Sequence, residues 1–374
     1  MVAAASVVVA VGTATGMMSA LDDGRGSDEA RPEVTDSPTL DLRPPAPSPS
    51  PSVTGSASPS ASPKKKPASP TPSATKAEKK QEETAAVSIR LYRHPESQVL
   101  DWVRDNPGDA RQDVIQSRIA DQPAAVWFAD YTPATITARV RAVTSGGAAQ
   151  GRVPVVVAYG IPDRDCGGAS QGGAPDLDAY DAWIDRFAAG LGSGEVVVIL
   201  EPDSIAQADC LSAGQRADRF ASLARAGRTL KDANPKARVY FDAGHSGWHP
   251  AAKQADLLRQ AGAGSAASSD GVFSNVSNFH RTADEIAYDR RVLDALGGAA
   301  GLGAVIDTSR NGNGAPPDGE WCDPDGRKLG RAPTLNTGES RIDGYLWVKL
   351  PGESDGCKGS PGTFTPSYAY DLAR

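Results

Sequence analysis

Seven short apolar runs, rich in valine, isoleucine and aromatic residues, recur along the second part of the chain. Their near-continuous apolar character is typical of strands that are buried on both faces, as in parallel sheets. The predicted strands are residues 125–130, 153–160, 195–200, 238–242, 271–275, 304–307 and 344–350.

Amphipathic stretches separate most of these strands and predict helices over residues 176–190, 213–233, 250–261 and 282–296. Strand–helix alternation predicts an α/β fold with a parallel sheet, and seven such units indicate a closed or nearly closed, TIM-like barrel. Residues 310–341 are rich in glycine, proline and asparagine, and we expect them to form a functional loop across the mouth of the barrel.

The first part of the chain has a different composition. Residues 1–91 contain no aromatic side chain, and eleven prolines lie between Pro38 and Pro72. Such a segment cannot bury enough apolar surface to offset its chain entropy. We therefore predict a disordered Pro/Ser/Thr/Lys-rich linker over residues 23–88 and a single folded domain over residues 89–374.

The extreme N-terminus, residues 2–20, is apolar and uncharged. We interpret residues 1–22 as a signal peptide or a membrane anchor, although the basic start of a signal peptide is missing. A disordered alanine-rich tail is the alternative. We expect an extracellular, secreted protein, or one anchored at the cell surface through this segment.

Four cysteines are consistent with export. We expect the disulfides Cys166–Cys210 and Cys322–Cys357, each closing a loop of a few tens of residues. A zinc site is the rival interpretation, but no CxxC or Cys/His spacing supports it. We expect no metal and no cofactor, and a monomer. The net charge of −7 argues against a nucleic-acid partner.

Four aspartates lie just past the ends of four predicted strands: Asp165, Asp203, Asp242 and Asp355. The carboxyl ends of parallel strands meet at one mouth, where barrel enzymes keep their chemistry. Gathering acids there costs desolvation, which a protein without an active site has little reason to bear.

Asp203 is the first candidate acid, because a partly desolvated carboxyl at a strand exit has a raised pKa. A helix N-cap is its alternative role. Asp165 would raise the pKa of a neighbouring acid, unless it is a loop residue paired with Arg164. Asp242 and His245 could bind a metal or orient a substrate by hydrogen bonds. Asp355 alone would be a solvated turn residue.

Aromatic side chains at or beyond the strand ends resemble platforms for flat sugar faces. We expect Trp347 to be a core residue instead. Acids combined with tryptophan, asparagine, histidine and lysine are typical of a glycosidase groove. The aromatic residues are Trp127, Tyr159, Trp248, Trp321 and Trp347.

Seven sequence blocks, in order, resemble glycoside hydrolase family 6, the inverting cellulases. They are VVVAYGIPDRDCGGASQGG, VVVILEPDSIA, YFDAGHSGW, NVSNF, TSRNGNG, EWCDPDGRKLG and LWVKLPGESDGC. The resemblance covers the folded region and implies a distorted barrel of seven parallel strands, the two disulfides named above, and cellulose or another β-1,4-glucan as substrate.

The resemblance also implies residue roles. Asp203 matches the general acid, Asp165 the acid that tunes it and helps to handle the proton of the attacking water, and Asp355 a proposed general base. Tyr159 matches a residue that crowds the distorted sugar, Ser170 a loop serine near the reacting centre, and Asp242 an acid that supports the electrostatics. The implied sugar-binding residues are Trp127, His245, Trp248, Asn275, Trp321, Lys349 and Glu353.

Short segments at 278–304 and 357–374 favour an open cleft and endo action over that of a cellobiohydrolase, which cleaves from chain ends. A metal-dependent barrel hydrolase using Asp203, Asp242 and His245 and a non-catalytic polysaccharide-binding barrel are the remaining alternatives.

Overall fold

The computed structural model describes residues 90–168 and 170–374, which fall within one compact unit. The expected signal peptide or anchor at residues 1–22 and the expected linker at 23–88 lie outside the described residues. Across 90–168 and 170–374, no helix has the length and apolar character needed to cross a membrane.

Seven parallel strands form one curled sheet whose spatial order follows the chain order. The sheet confirms the predicted α/β class and the seven-stranded barrel-like architecture. The seventh strand begins and ends earlier than predicted, so that Trp347–Leu350 leave it. The strands are β1 Val126–Phe128, β2 Val155–Ala158, β3 Val196–Leu200, β4 Ala237–Asp242, β5 Gly271–Ser274, β6 Gly303–Asp307 and β7 Ile342–Leu346.

Helices alternate with these strands and cover the outside of the sheet. The four predicted helices are present, and two of them, α5 and α7, have the predicted bounds. A capping box between Ser212 and Gln215 fixes the start of α5. The helices are α1 Gln98–Asp105, α2 Gln112–Ile115, α3 Ile136–Ala149, α4 Leu177–Ala188, α5 Ala213–Ala233, α6 Ala251–Gln260, α7 Thr282–Leu296 and α8 Pro366–Ala373.

Alternate residues of each strand enter two different cores, as the period of two in a strand requires. In β2, Val156 and Ala158 pack against the helices, whereas Val155 and Val157 point into the barrel. Because both faces are apolar, the strands are uniformly hydrophobic, and polar side chains are left to the strand ends. The functional residues are therefore confined to the rim.

The ring of strands is not closed by a ladder between β1 and β7 in the described part of the chain. The backbone N–H of Ala125 donates to the carbonyl of Trp347 at 2.9 Å, and Trp127 Nε1–H donates to the carbonyl of Val348 at 2.7 Å. We refer to these two hydrogen bonds as the seam. Helices α1, α2 and α8 cover it with a third apolar cluster that contains Trp347, which is buried as expected.

Gly271 illustrates how tightly β5 and β6 approach. Its φ is +142°, and a Cβ at this position would overlap the carbonyl oxygen of Gly303. We expect Gly271→Ala to lower the free energy of unfolding by roughly 3 kcal/mol, since it combines backbone strain with a clash in the sheet.

Gly214→Ala is the matched control, because a Cβ at this position in α5 meets no atom within 4 Å. It should be neutral or stabilising by up to about 1 kcal/mol. Urea denaturation followed by tryptophan fluorescence measures both variants. Equal midpoints for the two would contradict the close approach of β5 and β6.

Candidate active site

A groove of about 1340 Å³ runs across the carboxyl ends of the strands. It brings together eleven of the thirteen catalytic and sugar-binding residues predicted from the sequence. Asp242 and Asn275 are the two that do not line it. The eleven are Trp127, Tyr159, Asp165, Ser170, Asp203, His245, Trp248, Trp321, Lys349, Glu353 and Asp355.

Asp203 follows β3 in a strained turn. Its φ is 69° and that of Glu201 is 51°, a left-handed conformation that non-glycine residues rarely adopt. Burial, followed by the negative charges of Asp242 and Asp165, raises the pKa of Asp203 to about 8, while Tyr159 acts in the opposite direction. The carboxyl group is therefore protonated at neutral pH, as a proton donor must be.

Glu201 is completely buried and holds the turn after β2. Its carboxylate accepts backbone N–H groups of Gly160, at 3.0 and 2.8 Å, and of Ile161, at 2.9 Å. Burial raises its pKa to about 7, against the effect of these hydrogen bonds. Glu201 thus fixes the backbone that carries Tyr159.

Tyr159, Ser170 and Asp165 form a chain of hydrogen bonds along the groove. The Ser170 hydroxyl donates to Asp165 Oδ2 at 3.0 Å, and the Ser170 N–H donates to the same oxygen at 2.8 Å. A serine hydroxyl has one proton, so the Tyr159 hydroxyl must be the donor across its 2.8 Å contact with Ser170. Gln207 Nε2 lies 3.4 Å from Asp165 Oδ1.

Arg164 does not pair with Asp165, which was the alternative for that acid. Its guanidinium is buried and donates to the carbonyls of Ala129, Ser170 and Tyr159, and it lies 4.4 Å from the centre of the Tyr159 ring. These contacts leave the Asp165 carboxylate to Ser170 and Gln207. Arg164 therefore organises the loop without neutralising its acid.

Asp242 lies behind the groove wall, 2% exposed. Its Oδ2 accepts the N–H groups of Ile205 and Ala206 at 3.1 and 2.8 Å, and its Oδ1 accepts that of Gly244 at 2.9 Å. Burial raises the pKa of Asp242, while the hydrogen bonds act to lower it. It holds the turn after Asp203, and its negative charge is one cause of the raised pKa of Asp203; its role in the reaction remains a prediction.

Asp355 is paired with two cations. Its Oδ2 accepts a 2.6 Å hydrogen bond from the buried Arg310, and its Oδ1 lies 3.2 Å from Lys349 Nζ. The Asp355 N–H in turn donates to Asp323 Oδ1 at 2.7 Å. Asp355 is therefore part of an ion-pair network and is not the solvated turn residue that was the alternative.

Glu353 lines the groove beside this network. Burial raises its pKa to about 7, and the charges of Lys349 and Arg310 oppose that rise. A carboxyl with this pKa can both donate and accept hydrogen bonds near neutral pH, which suits the hydroxyl groups of a sugar. Its sugar-binding role remains a prediction.

His245 and Trp248 form one side of the groove. His245 Nδ1 accepts the N–H of Gly247 at 3.2 Å, so its proton is on Nε2. The rings of His245 and His280 stack at 4.2 Å, and burial followed by the two neighbouring histidines lowers the pKa of His245 to about 3. His245 is therefore neutral and can donate from Nε2.

Two tryptophans lie at other points along the groove. Trp127 contacts the Tyr159 ring edge-on at 5.2 Å between centroids, and its Nε1 belongs to the seam. Trp321 is 57% exposed, far more than any core aromatic. Exposed apolar area of this size on a groove rim is suited to stacking on a flat apolar ligand face.

Asn275 departs from the prediction of a sugar-binding residue. It is completely buried, and its amide donates to the carbonyls of His280 and Asp307 and accepts the His280 N–H. Its φ of 64° shows that it makes the sharp turn after β5. Every polar atom of the side chain is thus used to hold the loop.

Both disulfides join the expected pairs and lie beside the site. Cys166–Cys210 ties the Asp165 loop to the turn after Asp203, and Cys322–Cys357 ties Trp321 to the Asp355 loop. Sequence separations of 44 and 35 correspond to roughly 3–4 kcal/mol each in the chain-entropy model. Within residues 90–168 and 170–374, no group of three or more His, Cys, Asp or Glu could hold a metal ion.

Comparison with known proteins identifies the family of the chain. The model of the glycosyl hydrolases family 6 matches residues 82–370, which is most of the chain. This chain belongs to glycosyl hydrolase family 6. The match includes every residue described in the groove.

Among the relatives of this family 6 hydrolase, Endoglucanase 1 of Streptomyces sp. (strain KSM-9) is 54% identical over 78% of the chain and 79% of its own length. Endoglucanase A of Thermobispora bispora is 50% identical over 76% of the chain, which spans 61% of that protein. The endoglucanase Cel6 from Mycobacterium tuberculosis, solved with methyl-cellobiosyl-4-deoxy-4-thio-β-D-cellobioside, is 41% identical with a TM-score of 0.71, over 77% of this chain and 97% of its own.

Several residues that organise the site of this family 6 hydrolase were not predicted. Arg310, Asp323 and Gln207 are polar residues whose partners lie 31 or more positions away in sequence. Position in the sequence gives a signal only for Arg310 and Gln207. They follow the ends of β6 and β3, and strand ends are where candidate acids were predicted. Spacing alone does not identify their partners.

The charge of Asp165 is one cause of the high pKa of Asp203. We expect Asp165→Asn to lower the pKa of Asp203 from about 8, because removing a nearby negative charge favours the ionised form. Carboxyl ¹³C NMR titration of aspartate-labelled protein measures this pKa. Asp130→Asn, at an exposed residue on the groove rim, is the control and should leave it unchanged. An unchanged pKa in Asp165→Asn would contradict the coupling.

Proposed function

We propose that this family 6 hydrolase is an endo-β-1,4-glucanase that cleaves internal bonds of cellulose and related glucans with inversion of anomeric configuration. The observation that carries the proposal is the groove that brings together Asp165 and Asp203, whose pKa burial raises to about 8. Relatives named endoglucanases at 54% and 50% identity support it.

The reaction follows from these groups. Asp203 donates its proton to the glycosidic oxygen as the bond from that oxygen to the anomeric carbon breaks. A water on the opposite face of the sugar attacks the anomeric carbon, and its proton passes to Asp165, assisted by Ser170. The cycle ends with Asp203 ionised and Asp165 protonated, and exchange with solvent restores both.

Asp165 is a better acceptor of the water proton than Asp355. Both oxygens of Asp355 contact cations, at 2.6 Å to Arg310 and 3.2 Å to Lys349. Accepting a proton there would leave the buried Arg310 without its closest anionic partner, which is costly. We assign Asp355 to holding Lys349 and Arg310, and Tyr159 to packing against the distorted sugar.

The sugar chain is recognised by stacking and by hydrogen bonds. Trp127, Trp248 and Trp321 supply apolar surface for pyranose faces. His245, Lys349 and Glu353 supply polar groups for hydroxyls. The exposed Trp321 and the short segments at 278–304 and 357–374 support an open cleft, into which the middle of a polymer can enter.

We also propose that the protein acts outside the cell, as a monomer, either secreted or attached to the cell surface. Two disulfides within the described residues support this location, since such bonds persist in oxidising compartments. Detection of the protein in culture supernatant and in washed cell envelopes distinguishes release from attachment.

The central experiment compares viscosity loss with reducing-end release on carboxymethylcellulose. Endo action predicts a steep fall in viscosity at low release of reducing ends, because internal cuts shorten long chains first. Proton NMR of cellotetraose hydrolysis should show the α-anomer first, as inversion requires. A viscosity that falls only in proportion to the release of reducing ends would indicate cleavage from chain ends. Binding of glucan without new reducing ends would indicate a non-catalytic barrel.

Asp203→Asn should reduce kcat on carboxymethylcellulose about 10³-fold while cellotetraose binding is retained, because it removes the acid but not the groove. Asp218→Asn, the same change at an exposed site on α5, is the control. In the wild type, kcat/KM should fall as the pH rises through about 8, because Asp203 loses the proton that it must donate. Full activity of Asp203→Asn on unactivated glucan would refute the assignment.

A further inference from the structure

Helix α7 carries two carboxyl groups one helical turn apart, Glu285 and Asp289, and both are completely buried. Glu285 Oε1 accepts the backbone N–H of Ser246 at 2.9 Å. Asp289 Oδ2 accepts the hydroxyl of Ser274 at 3.0 Å. Residues four apart on a helix share one face, so the two carboxyls are neighbours.

Each carboxyl has one oxygen that is buried and has no hydrogen-bond partner among the described residues, Oε2 of Glu285 and Oδ1 of Asp289. The charges that act on the two groups are negative: Asp284 acts on Glu285, and Glu285 acts on Asp289. Two ionised carboxylates without a cation would be very costly in such a site. A single proton shared by the two unused oxygens would remove one charge and satisfy both atoms.

We propose that Glu285 and Asp289 share one proton, and that this acid pair is a positioning device for the groove wall formed by His245 and Trp248. The protonated carboxyl donates to the other, and the pair holds Glu285 Oε1 against the Ser246 N–H. The proposal rests on the proposed glucanase function, because His245 and Trp248 are assigned there to the sugar.

The connection to the groove is short. Ser246 lies between the two groove residues, and the Gly247 N–H that follows donates to His245 Nδ1. Helix α7 contacts the start of the same loop a second time, where the Tyr288 hydroxyl donates to the carbonyl of Ala243 at 2.9 Å. Loss of the Ser246 contact therefore frees the segment whose backbone fixes the orientation of His245.

Within residues 90–168 and 170–374, no salt bridge involves Glu285 or Asp289, and the basic side chains of α6 have other partners. On α6, Lys253 pairs with Asp209, and Arg259 pairs with Asp256. On β5 the polar neighbour is Ser274. The ionisable groups near the pair are Asp284, Tyr288 and Arg291 on α7, Asp242 on β4, which acts on Tyr288, and His280, on which Asp284 acts.

Burial raises the pKa of both Glu285 and Asp289. The folded state therefore retains a proton that the unfolded chain releases as pH rises above the ordinary carboxyl range. The stability contributed by the pair is fully present below that range and is lost as pH rises through the raised pKa. The same loss of the proton should loosen the contact with Ser246.

The test compares Glu285→Gln, Glu285→Ala and Asp218→Asn in hydrolysis of cellotetraose across pH. Glu285→Gln mimics the protonated pair, because its amide can accept from Ser246 and donate permanently to Asp289. We expect its KM to match the wild type at low pH and to rise less at alkaline pH. Glu285→Ala should raise KM about tenfold at all pH values, with kcat changed less than about twofold.

Asp218→Asn removes an exposed charge from α5, away from the pair, and should leave KM and its pH dependence unchanged. A KM for Glu285→Gln as high as that of Glu285→Ala, or an identical alkaline rise in Glu285→Gln and wild type, would overturn the proposal. If Glu285→Ala does not fold, the comparison of Glu285→Gln with the wild type still decides it.

Unfolding in urea separates the acid pair from the catalytic assignment. The free energy of unfolding of the wild type should fall more steeply with rising pH than that of Glu285→Gln, and the difference between them isolates the pair from other buried acids. Parallel pH curves would overturn the shared proton. A wild type that releases no reducing ends from any glucan would instead overturn the proposed function and leave this stability comparison valid.

Discussion

Carboxylates at the ends of three strands bind the backbone of neighbouring loops, and the rim of the barrel depends on these contacts. Glu201 after β3 holds the turn after β2, Asp242 in β4 holds the turn after β3, and Asp307 in β6 accepts the N–H groups of Ser277 and Lys349 from the loops on either side. Each carboxylate is buried, and backbone donors offset part of its desolvation. The loops are therefore fixed relative to one another by acids that do not line the groove.

This arrangement explains how Asp203 keeps its proton. A carboxyl in a solvated turn would ionise, but Asp203 is buried in a strained turn, and the negative charge of Asp242, which holds the next residues, raises its pKa further. The structural acid and the chemical acid are thus electrostatically linked. The strain at Glu201 and Asp203 is sustained because the Glu201 carboxylate is anchored to the turn after β2 and Asp242 holds the residues that follow Asp203.

The strands and most of the site were accessible from sequence because both follow from local pattern. Buried parallel strands are continuous Val/Ile runs, and acids at their ends must meet at one rim. Helix α3 was not predicted, since Gly146, Gly147 and several β-branched residues lower its intrinsic propensity, and its helical state depends on burial of Ile136 and Val140. Asn275 was assigned to sugar binding by the family resemblance, and the local sequence of a polar residue after a strand is the same whether it faces a ligand or the backbone. The partners of Arg310 depend on which loops become neighbours, which spacing does not encode.

The two disulfides belong to the rim and not to the core. The three apolar clusters contain no cysteine. Each disulfide instead has one cysteine directly after a groove residue: Cys166 follows Asp165, and Cys322 follows Trp321. The hydrophobic effect therefore stabilises the barrel, whereas the redox state of the surroundings decides whether the Asp165 and Trp321 loops are cross-linked. In a thiol-rich, reducing compartment the barrel would stay folded, but the substrate-facing loops would lose their cross-links and sample more conformations.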